Sequence, residues 1–519
     1  MNRKIIIGSR GSDLALWQAR FFQSEMKRIG IETEIKIITT KGDRIQDLSF
    51  DKIEGKGFFT KEIEAALLDN EIDIAIHSHK DLETRPTPGL TIAGVSYREN
   101  PAELLLIHPE SVDQTQLLGF KPGAIIGTSS ARRKSQIKAL RPDIEIKDIR
   151  GNVPTRINKL REKQFDAILL AAAGVQRLRL DLRDLIAAEL DPRMFIPAPA
   201  QGVLAYQCRS NDGELIQAIQ PLHHRDVQQS IAIERAILSG FGGGCHIPIG
   251  VSAQPRSTGF AVRVTYGNDW NDMPKRMRFN ATSVEEATQV FADVQSLPVP
   301  NRVLITRKLE PHSYLKRAAQ AFGFELCEKP FIRINHLPFK MPDVSSFDWV
   351  FFSSSNGVSA FLEHVSFDTI KHKKIAAFGE ATARTLSNYV DHIDFTAKIG
   401  QPEEVAQEFA SFIGEETALF PSSTISIKSI ASCLKPSQVT HIGCYETQTL
   451  ISSADDYDAY IFTSPSNVGG FIESGNQIAA PAKVIAIGRS TADRLSSIGI
   501  PAAVADIPHE AELLALLLS

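Results

Sequence analysis

Residues 4–40 read KIIIGSRGSDLALWQARFFQSEMKRIGIETEIKIITT: a short apolar run, an amphipathic stretch and a second apolar run. The apolar runs have the composition of β-strands, and the stretch between them has the spacing of a helix. The alternation continues to about residue 200, and a second set of such runs begins near residue 100 and includes a helix from Ala131 to Leu140. The pattern predicts an α/β fold with mainly parallel strands, arranged as two similar lobes around a cleft.

The rest of the chain shows two further patterns. From about residue 218 a helix leads into a glycine-rich loop, several strand-like runs and a helix near 284–295, which predicts a small α+β domain. The segment SLPVPNR at 296–302 has two prolines and no periodicity, so we place the main boundary there. Beyond it, FFSSSNGVSAFLE at 351–363 echoes IFTSPSNVGGFIE at 461–473. This internal repeat predicts two more α/β lobes. In each copy a strand runs into a Ser/Thr/Asn turn, with Ser354 or Ser464, that opens a helix, and the turn either caps the helix only or caps it and binds a ligand.

The composition describes a folded chain of 519 residues, with 43% hydrophobic and 23% charged side chains. Its net charge of −4 is uneven, because the part after residue 300 has 18 Lys and Arg against 24 Asp and Glu. No run is apolar and long enough for a signal peptide or a membrane span. The 5 cysteines show no metal-ligand spacing. We therefore expect a cytoplasmic protein without a disulfide framework or a metal site.

The stretch FGGGCHIPIG at 241–250 places Cys245 directly after three glycines. Glycines permit unusual backbone angles and close approach, so this cysteine is predicted to lie on a tight loop. Two interpretations stay open from this stretch alone. Cys245 either meets a ligand or is a small buried apolar residue beside a turn.

Polar residues follow the apolar strand IDIAI at 72–76, in the order His-Ser-His-Lys-Asp. The carboxyl ends of strands in an α/β sheet face the ligand crevice, so Lys80 and Asp81 are candidates for binding or proton transfer. A solvated ion pair at a strand end is the alternative. His77 and His79 lie two residues apart, but no further spacing completes a metal site.

Three segments combine a predicted helix start with arginines: GSRGSDLALWQA at 8–19, GTSSARRK at 127–134 and RGNVPTR at 150–156. Free N–H groups at a helix start and guanidinium groups both bind carboxylates or phosphates. Each turn is also an ordinary helix cap. The basic excess between residues 121 and 179 lacks stacking aromatics, which favours a pocket for small polyanions over a nucleic-acid surface.

Eight motifs in this order resemble the hydroxymethylbilane synthase (porphobilinogen deaminase) family over residues 1 to about 298. They are GSRGSDLALWQA, GKGFFTKE, HSHKD, GTSSARRK, RGNVPTR, AAAGVQRL, PAQG and GGGCHIPIG. The resemblance implies a transferase that adds four porphobilinogen units to a dipyrromethane cofactor, with release of ammonia, and yields hydroxymethylbilane. The cofactor would be attached to Cys245 through a thioether. The implied fold is two periplasmic-binding-protein-like lobes plus a small α+β domain.

The resemblance also implies roles for individual residues. Asp81, assisted by Lys80, would accept hydrogen bonds from pyrrole N–H groups, stabilise the cationic azafulvene formed on deamination and help proton transfer. The implied cofactor-binding residues are Lys80, Asp81, Ser129, Arg132, Arg133, Arg150, Gly151 and Cys245. The implied substrate-binding residues are Arg10, Ser12, Arg150, Arg156, Arg177 and Gln201, with Ser130 assisting. Lys56 would belong to a loop over the cleft. The chain departs from the family at Ala102 and Glu103, where an Arg-Asp pair is common.

The part from about 301 to 519 resembles uroporphyrinogen-III synthase through VLITR, FFSSSNGV, FGEATA, CYET, FTSPSNV and IGRSTA. The resemblance implies a two-lobed α/β lyase that closes hydroxymethylbilane to uroporphyrinogen III with inversion of the last ring. Tyr445, at the crossing between the lobes, is the candidate to assist loss of the terminal hydroxyl, and a structural tyrosine is the alternative. The candidate substrate-binding residues are Ser354, Asn356, Ser464 and Thr491.

The predicted organisation has five parts. Deaminase lobe 1 comprises 1–99 with 200–217, lobe 2 comprises 100–199, the small domain 218–298, synthase lobe A 301–334 with 450–519, and synthase lobe B 335–449. We expect a monomer that takes porphobilinogen and hydroxymethylbilane and binds neither nucleic acid nor membrane. The alternatives are a deaminase with an inactive or regulatory C-terminal unit and, in another class, a two-lobed anion-binding protein.

Overall fold

The computed structural model describes residues 3–40, 60–242, 247–390, 392–397, 402–424 and 430–519. The described chain is a mixed α/β structure whose strands form five sheets. It confirms the predicted fold class: two lobes and a small domain come first, and a two-lobed unit follows. No helix among these residues is both long and apolar enough to cross a membrane.

The first lobe is a five-stranded sheet with the order β2-β1-β3-β10-β4. In its hydrophobic core, the apolar side chains of the strands pack against Phe22 and Met26 of the first helix. Ser12 caps that helix by accepting a hydrogen bond from the Ala15 N–H. The strands are β1 (Ile5–Ser9), β2 (Thr33–Ile37), β3 (Ile74–Ser78), β4 (Leu90–Val95) and β10 (Leu204–Arg209), and the helices are α1 (Asp13–Arg28), α2 (Lys61–Leu68) and α6 (Gly213–Ala218).

The second lobe repeats this plan with the strand order β7-β6-β8-β5-β9. The strands are β5 (Glu103–Ile107), β6 (Ile125–Gly127), β7 (Glu145–Lys147), β8 (Ala167–Ala171) and β9 (Ile186–Leu190), and the helices are α3 (Ala131–Leu140), α4 (Val153–Arg161) and α5 (Ala172–Leu178).

Each of these two sheets has mainly parallel strands, as expected, with one antiparallel exception. β10 pairs antiparallel with both of its neighbours, and so does β5. The reason is the crossing of the chain between the lobes. The chain enters the second lobe through β5 and returns to the first lobe through β10. β5 therefore begins at the edge where β8 ends and runs antiparallel to it, and β10 begins where β3 ends and runs antiparallel to β3.

The small domain is a three-stranded antiparallel sheet with two helices on one face. Its elements are α7 (Arg225–Gly240), β11 (Gly250–Pro255), β12 (Phe260–Tyr266), β13 (Lys275–Ala281) and α8 (Val284–Ser296). Side chains of β12 alternate between the two faces, and Val262 and Val264 pack against the helices.

Lobe A of the C-terminal unit is a parallel sheet with the order β15-β14-β22-β23-β24. Its strands are β14 (Arg302–Ile305), β15 (Glu325–Glu328), β22 (Ala459–Phe462), β23 (Lys483–Ala486) and β24 (Ala503–Val504). Its helices are α9 (Tyr314–Phe322), α13 (Pro465–Glu473), α14 (Arg489–Ser496) and α15 (Glu510–Leu517).

Lobe B is a six-stranded sheet with the order β16-β21-β20-β17-β18-β19. The chain enters it through β16 and leaves through β21, and these two strands pair antiparallel. The strands are β16 (Ile332–His336), β17 (Trp349–Phe352), β18 (Lys374–Ala377), β19 (Phe395–Thr396), β20 (Ala418–Ser423) and β21 (Val439–Thr449). The helices are α10 (Ser355–His364), α11 (Glu380–Leu386) and α12 (Pro402–Ile413).

Candidate functional sites

The candidate deaminase site begins where β3 ends. A single turn of 3-10 helix, His79–Asp81, follows the strand directly. It leaves the Asp81 side chain exposed, while the Lys80 ammonium donates to Oε1 of Gln201 at 3.1 Å. Gln201 lies on the segment by which the chain returns from the second lobe. The predicted pair Lys80 and Asp81 therefore lies at the junction of the two lobes.

Helix α7, which leads towards the glycine loop, is tied to the same turn. Arg235 on this helix donates to the carbonyl oxygens of His79 and Leu82, each at 3.3 Å. No sequence motif marks Arg235, since its hydrogen-bond acceptors lie 156 and 153 positions earlier in the chain. The contact brings the small domain against the turn that presents Asp81.

Glu103, at the start of β5, forms ion pairs with two of the predicted basic residues. It is fully buried, with Oε1 2.5 Å from Arg132 Nη2 and Oε2 2.7 Å from Arg133 Nη2. Gln201 Nε2 donates to Oε1 at 3.0 Å. Burial alone would raise the pKa of Glu103, but Arg133, Arg132 and Lys80 outweigh it and hold the pKa at about 2. Glu103 is therefore ionised and positions the start of α3.

Lys80 has a pKa that is shifted towards neutral pH. Burial lowers its pKa to about 8, against the opposing effect of Asp81. Arg133 and Arg132 also lower it, and Glu103 raises it. Its ammonium group is mainly charged at pH 7, so it can bind a carboxylate.

Arg156 connects Asp81 to the basic side chains of the second lobe. Its Nε donates to the carbonyl oxygen of Gly151 at 2.8 Å, and Gly151 has a φ of 109°, which favours glycine. Burial, Arg133 and Arg150 lower the pKa of Arg156 to about 10, while Asp81 raises it. The structure thus brings Asp81 of one lobe within electrostatic reach of Arg156 of the other, and Arg156 lies in turn within reach of Arg133 and Arg150.

Two predicted serines have structural partners in the described chain. Ser129 donates to the carbonyl oxygen of Ile149 at 2.9 Å and accepts from the Ile149 N–H at 3.0 Å. Ser12 caps α1. Ser130 occupies the cap position of α3, but its side chain makes no cap hydrogen bond. Contact of these hydroxyls with a ligand stays a prediction.

The remaining predicted side chains differ in exposure. Arg177 is 8% exposed, donates to the carbonyl oxygen of Gly202 at 2.7 Å and lies 5.5 Å from the centre of the Trp17 ring. Arg10 is half-buried. Cys245 and Lys56 lie outside the described residues. Gln201, Arg132 and Arg133 are buried in the network around Glu103, and their ligand-binding roles stay predictions.

Replacing Glu103 by glutamine is expected to lower the free energy of unfolding of the deaminase part by about 3 kcal/mol, because it leaves two buried guanidinium groups without their anion. Since the pKa of Glu103 is held at about 2, its stabilisation is complete above pH 4.5 and is lost as the pH falls toward 2. The difference between variant and wild type, measured by denaturant unfolding, should shrink over that range. Glu110→Gln is the control, because Glu110 pairs with Lys163 only on the surface and its loss should change nothing measurable. Equal stability of Glu103→Gln and wild type would contradict the positioning role.

In the C-terminal unit, a serine and a tyrosine meet at the end of β17. Ser354 caps α10 by accepting from the Gly357 N–H at 3.1 Å, as the sequence predicts. Its Oγ lies 3.2 Å from the Tyr445 hydroxyl oxygen. Burial raises the pKa of Tyr445, and the hydrogen bond to Ser354 opposes this effect. Tyr445 therefore stays protonated at neutral pH and has a proton to donate.

Lobe A has the equivalent cap. Ser464 accepts from the Asn467 N–H at 3.1 Å, which matches Ser354 in lobe B and confirms that the internal repeat marks equivalent helix starts. Asn356 is exposed, whereas Thr491 is 1% exposed. Roles of these residues in substrate binding stay predictions. Among the described residues, no group of three or more His, Cys, Asp or Glu side chains is arranged to hold a metal ion.

Comparison with known proteins assigns the N-terminal part. Residues 5–217 match the family model "Porphobilinogen deaminase, dipyromethane cofactor binding domain". The porphobilinogen deaminase of Shouchella clausii (strain KSM-K16) is 45% identical over 250 residues, which cover 48% of this chain and 79% of that protein. The porphobilinogen deaminase of Staphylococcus carnosus (strain TM300) is 44% identical over 250 residues, which cover 48% of this chain and 80% of that protein.

The C-terminal part matches a second family model, "Uroporphyrinogen-III synthase HemD", over residues 313–515. The crystal structure of uroporphyrinogen-III synthetase from Helicobacter pylori 26695 is similar to 42% of this chain over 100% of its own length, with 21% sequence identity and a TM-score of 0.32. Because this identity and this TM-score are low, the assignment of the C-terminal part rests on the family model alone. The chain therefore belongs to the porphobilinogen deaminase family through its N-terminal half and carries a uroporphyrinogen-III synthase domain in its C-terminal part.

Proposed function

We propose that the chain is a bifunctional enzyme of tetrapyrrole biosynthesis. Its deaminase part joins four porphobilinogen units and releases hydroxymethylbilane, and its synthase part closes this product to uroporphyrinogen III with inversion of the last ring. The observation that carries the first activity is the exposed Asp81 carboxylate, set beside Lys80 and within the electrostatic reach of Arg156. The second activity rests on the family model of the C-terminal part and on the paired hydroxyls of Ser354 and Tyr445.

The basic residues of the deaminase site fit a dipyrromethane cofactor attached at Cys245. Lys80 and Arg156 lie in the electrostatic surroundings of Asp81, Arg132 and Arg133 pair with Glu103, and Arg150 acts on Arg156. This excess of positive charge suits a group whose pyrrole rings carry acetate and propionate arms. The cofactor supplies the pyrrole position to which the first porphobilinogen unit is joined.

Asp81 would act on the positive charge that develops when porphobilinogen loses ammonia. A carboxylate beside a developing cation lowers the barrier by electrostatic stabilisation, and the effect is largest where water is excluded. The same oxygen atoms accept hydrogen bonds from pyrrole N–H groups and can take up the proton released when the new bond forms. The exposure of Asp81 leaves it accessible to substrate.

The cations around Asp81 would hold the carboxylate arms of the growing chain. Asp81 acts electrostatically on Lys80 and Arg156, and Arg133 and Arg150 act on Arg156 within the second lobe. Guanidinium groups bind carboxylates in a fixed two-point geometry, which orients each ring. Glu103 keeps Arg132 and Arg133 in place.

Tyr445 would assist the departure of the terminal hydroxyl of hydroxymethylbilane. Its hydroxyl is protonated and hydrogen-bonded to Ser354, so it can donate to the leaving oxygen while Ser354 holds its orientation. The N–H groups at the starts of α10 and α13 are suited to bind substrate carboxylates.

The isomer produced by the full-length chain tests the two activities separately. The chain is incubated with porphobilinogen alone, and the oxidised products are separated as type I and type III uroporphyrin. We expect type III to predominate, since hydroxymethylbilane closes without inversion only when no synthase acts on it. Porphobilinogen consumption with only type I product would remove the second activity, and no consumption would remove the first.

Tyr445→Phe is expected to lower the turnover of the synthase part by about a hundredfold, because it removes the proton donor but keeps the ring. Type I uroporphyrin should rise at the expense of type III, while porphobilinogen is consumed at the wild-type rate. Tyr389→Phe in the same lobe is the control, since Tyr389 is 48% exposed, whereas Tyr445 is 9% exposed and paired with Ser354. A wild-type isomer ratio in Tyr445→Phe would show that this tyrosine is structural.

A further inference from the structure

The three-stranded sheet of the small domain is covered on both faces. One face packs against α7 and α8 through residues such as Val262 and Phe279. The other face carries Arg263 of β12, directly opposite Arg278 of β13. An antiparallel sheet with this alternation ordinarily leaves its polar face in water. Here Arg263 is 2% exposed, so protein covers this face instead.

The cover is the C-terminal end of the synthase part. Arg278 Nη2 lies 2.9 Å from Asp506 Oδ1, and its Nη1 lies 3.2 Å from Glu512 Oε1. Arg263 forms an ion pair with Asp506 and lies 3.5 Å from Glu512. Arg278 also donates to the carbonyl oxygen of Val504 at 2.8 Å. Two arginines of one enzymatic part thus share two carboxylates of the other.

Burial makes these ion pairs mutually dependent. Glu512 is 1% exposed and Arg263 is 2% exposed, so neither charge is solvated by bulk water. A buried charge that loses its partner destabilises the folded protein far more than an exposed one. The arginine face of the sheet, which carries Arg263 and Arg278, therefore needs the carboxylates of Asp506 and Glu512 as counterions. These carboxylates need the arginines in the same way.

Helix α15 supplies the apolar part of the contact. Every residue from 511 to 518 is buried, and the helix contacts α9 and β23 of its own lobe as well as β13 of the small domain. A helix that is apolar on all sides must be covered on all sides. The same hydrophobic cluster includes Ile137 and Leu140 of the second deaminase lobe with Leu315 and Leu514 of the synthase.

The charges of the two surfaces are complementary in the sequence as well. The last 19 residues contain the acids Asp506, Glu510 and Glu512 and no lysine or arginine. The opposing sheet face adds Arg276, which is 2% exposed and pairs with Thr265, two residues along β12 from Arg263. This complementarity identifies the occupant of the arginine face as the C-terminal segment of the same chain.

We propose that the arginine-bearing face of β12 and β13 is a docking surface for the segment from Asp506 to the end of α15, and that this contact holds the two enzymatic parts together without the help of the linker. The deaminase domain that precedes the linker would then stay bound to the synthase domain after the covalent connection is cut. The docking stands independently of the proposed activities, because it requires no substrate.

Cleavage of the linker tests the proposal on the full-length chain. A protease recognition site is inserted between Leu297 and Pro298, where Leu297 is 50% exposed, and the purified chain is cut. Size-exclusion chromatography with light scattering, without porphobilinogen, should show both fragments in one peak with the mass of the uncut monomer. A peak with twice that mass would place a second copy on the surface and overturn the proposal, as would separate elution of the fragments.

Neutral substitutions at the acidic residues measure the contribution of the ion pairs. The double variant Asp506→Asn/Glu512→Gln should raise the dissociation constant of the cut fragments by at least about a hundredfold. Arg278→Gln removes the two pairs of Arg278 from the opposite side, leaves those of Arg263 in place and should also raise the dissociation constant. Arg256→Gln is the matched control, since Arg256 is 51% exposed, lies 3.7 Å from Asp506 and should change the constant by less than about threefold.

Variants are compared only if they fold, as judged by circular dichroism and by a wild-type elution volume before cleavage. Should the double variant fail to fold, Arg278→Gln and amide hydrogen exchange of α15 in the cut wild-type protein decide the question. Folded variants whose fragments bind as tightly as wild type, or loss of protection of α15 on cutting, would overturn the docking. Loss of the proposed activities with intact docking would leave this inference standing.

Discussion

Replacement of Cys245 by serine is expected to abolish the covalent attachment of the dipyrromethane cofactor and to lower porphobilinogen consumption by at least about a thousandfold. A thiolate is a strong nucleophile near neutral pH, and a serine hydroxyl is not, so the thioether has no equivalent in the variant. Helix α7, which ends at Gly240 ahead of this cysteine, is anchored by Arg235 to the turn that carries Asp81.

Intact mass spectrometry checks the Cys245 prediction directly. The wild-type chain should exceed the mass of its sequence by that of a dipyrromethane, and Cys245→Ser should match its bare sequence. Cys433→Ser is the control and should keep the added mass, since Cys433 is exposed but lies outside the deaminase part. Burial raises the pKa of Cys208 to about 11, so that thiol is not a reactive alternative. A wild-type mass equal to the bare sequence would refute the covalent cofactor.

Asp81→Asn is expected to lower kcat for porphobilinogen consumption by at least about a hundredfold while leaving the fold and the cofactor mass unchanged. The amide has nearly the same shape as the carboxylate but cannot neutralise a developing cation or accept a proton. Because Asp81 is exposed at the end of a turn, its substitution removes little packing. The loss should fall on kcat, since the carboxylate acts on charge that is absent from the bound substrate.

The control for Asp81 is Glu83→Gln, an equally conservative change two residues further along. Glu83 is exposed, and the contact it makes with Arg235 uses its backbone carbonyl, which the substitution preserves. Steady-state rates of pyrrole consumption by the two variants give the comparison. If Asp81→Asn retained a near-normal kcat, the catalytic role proposed for this carboxylate would have to be abandoned.

Local features of the fold could be predicted because they depend on residues close together in sequence. The predicted helix from Ala131 to Leu140 has those bounds in the structure, and the caps at Ser354 and Ser464 form as the repeat indicated. Periodicity and capping involve positions within a few residues of one another. The antiparallel direction of β5 and β10 was not predicted, because strand pairing depends on where the chain crosses between lobes.

The candidate site shows the same division. The motifs identified Lys80, Asp81 and the arginines, but they did not show that Glu103 binds Arg132 and Arg133. Glu103 stood out in the sequence only as a departure from the family pattern. The partner of a buried charge lies at a distance in sequence that no local pattern encodes, and burial itself is set by packing.

By itself, the sequence determined which segments become strands and helices, where they start, and which family motifs they carry, since these depend on side-chain periodicity, caps and glycines in short windows. Only the tertiary structure decided that Lys80, Gln201 and Glu103 form one network and that the C-terminal helix covers the arginine face of the small domain. Those contacts join residues 98 to 234 positions apart. They form because folding removes water from both partners, so that each charge must find its counterion within the protein.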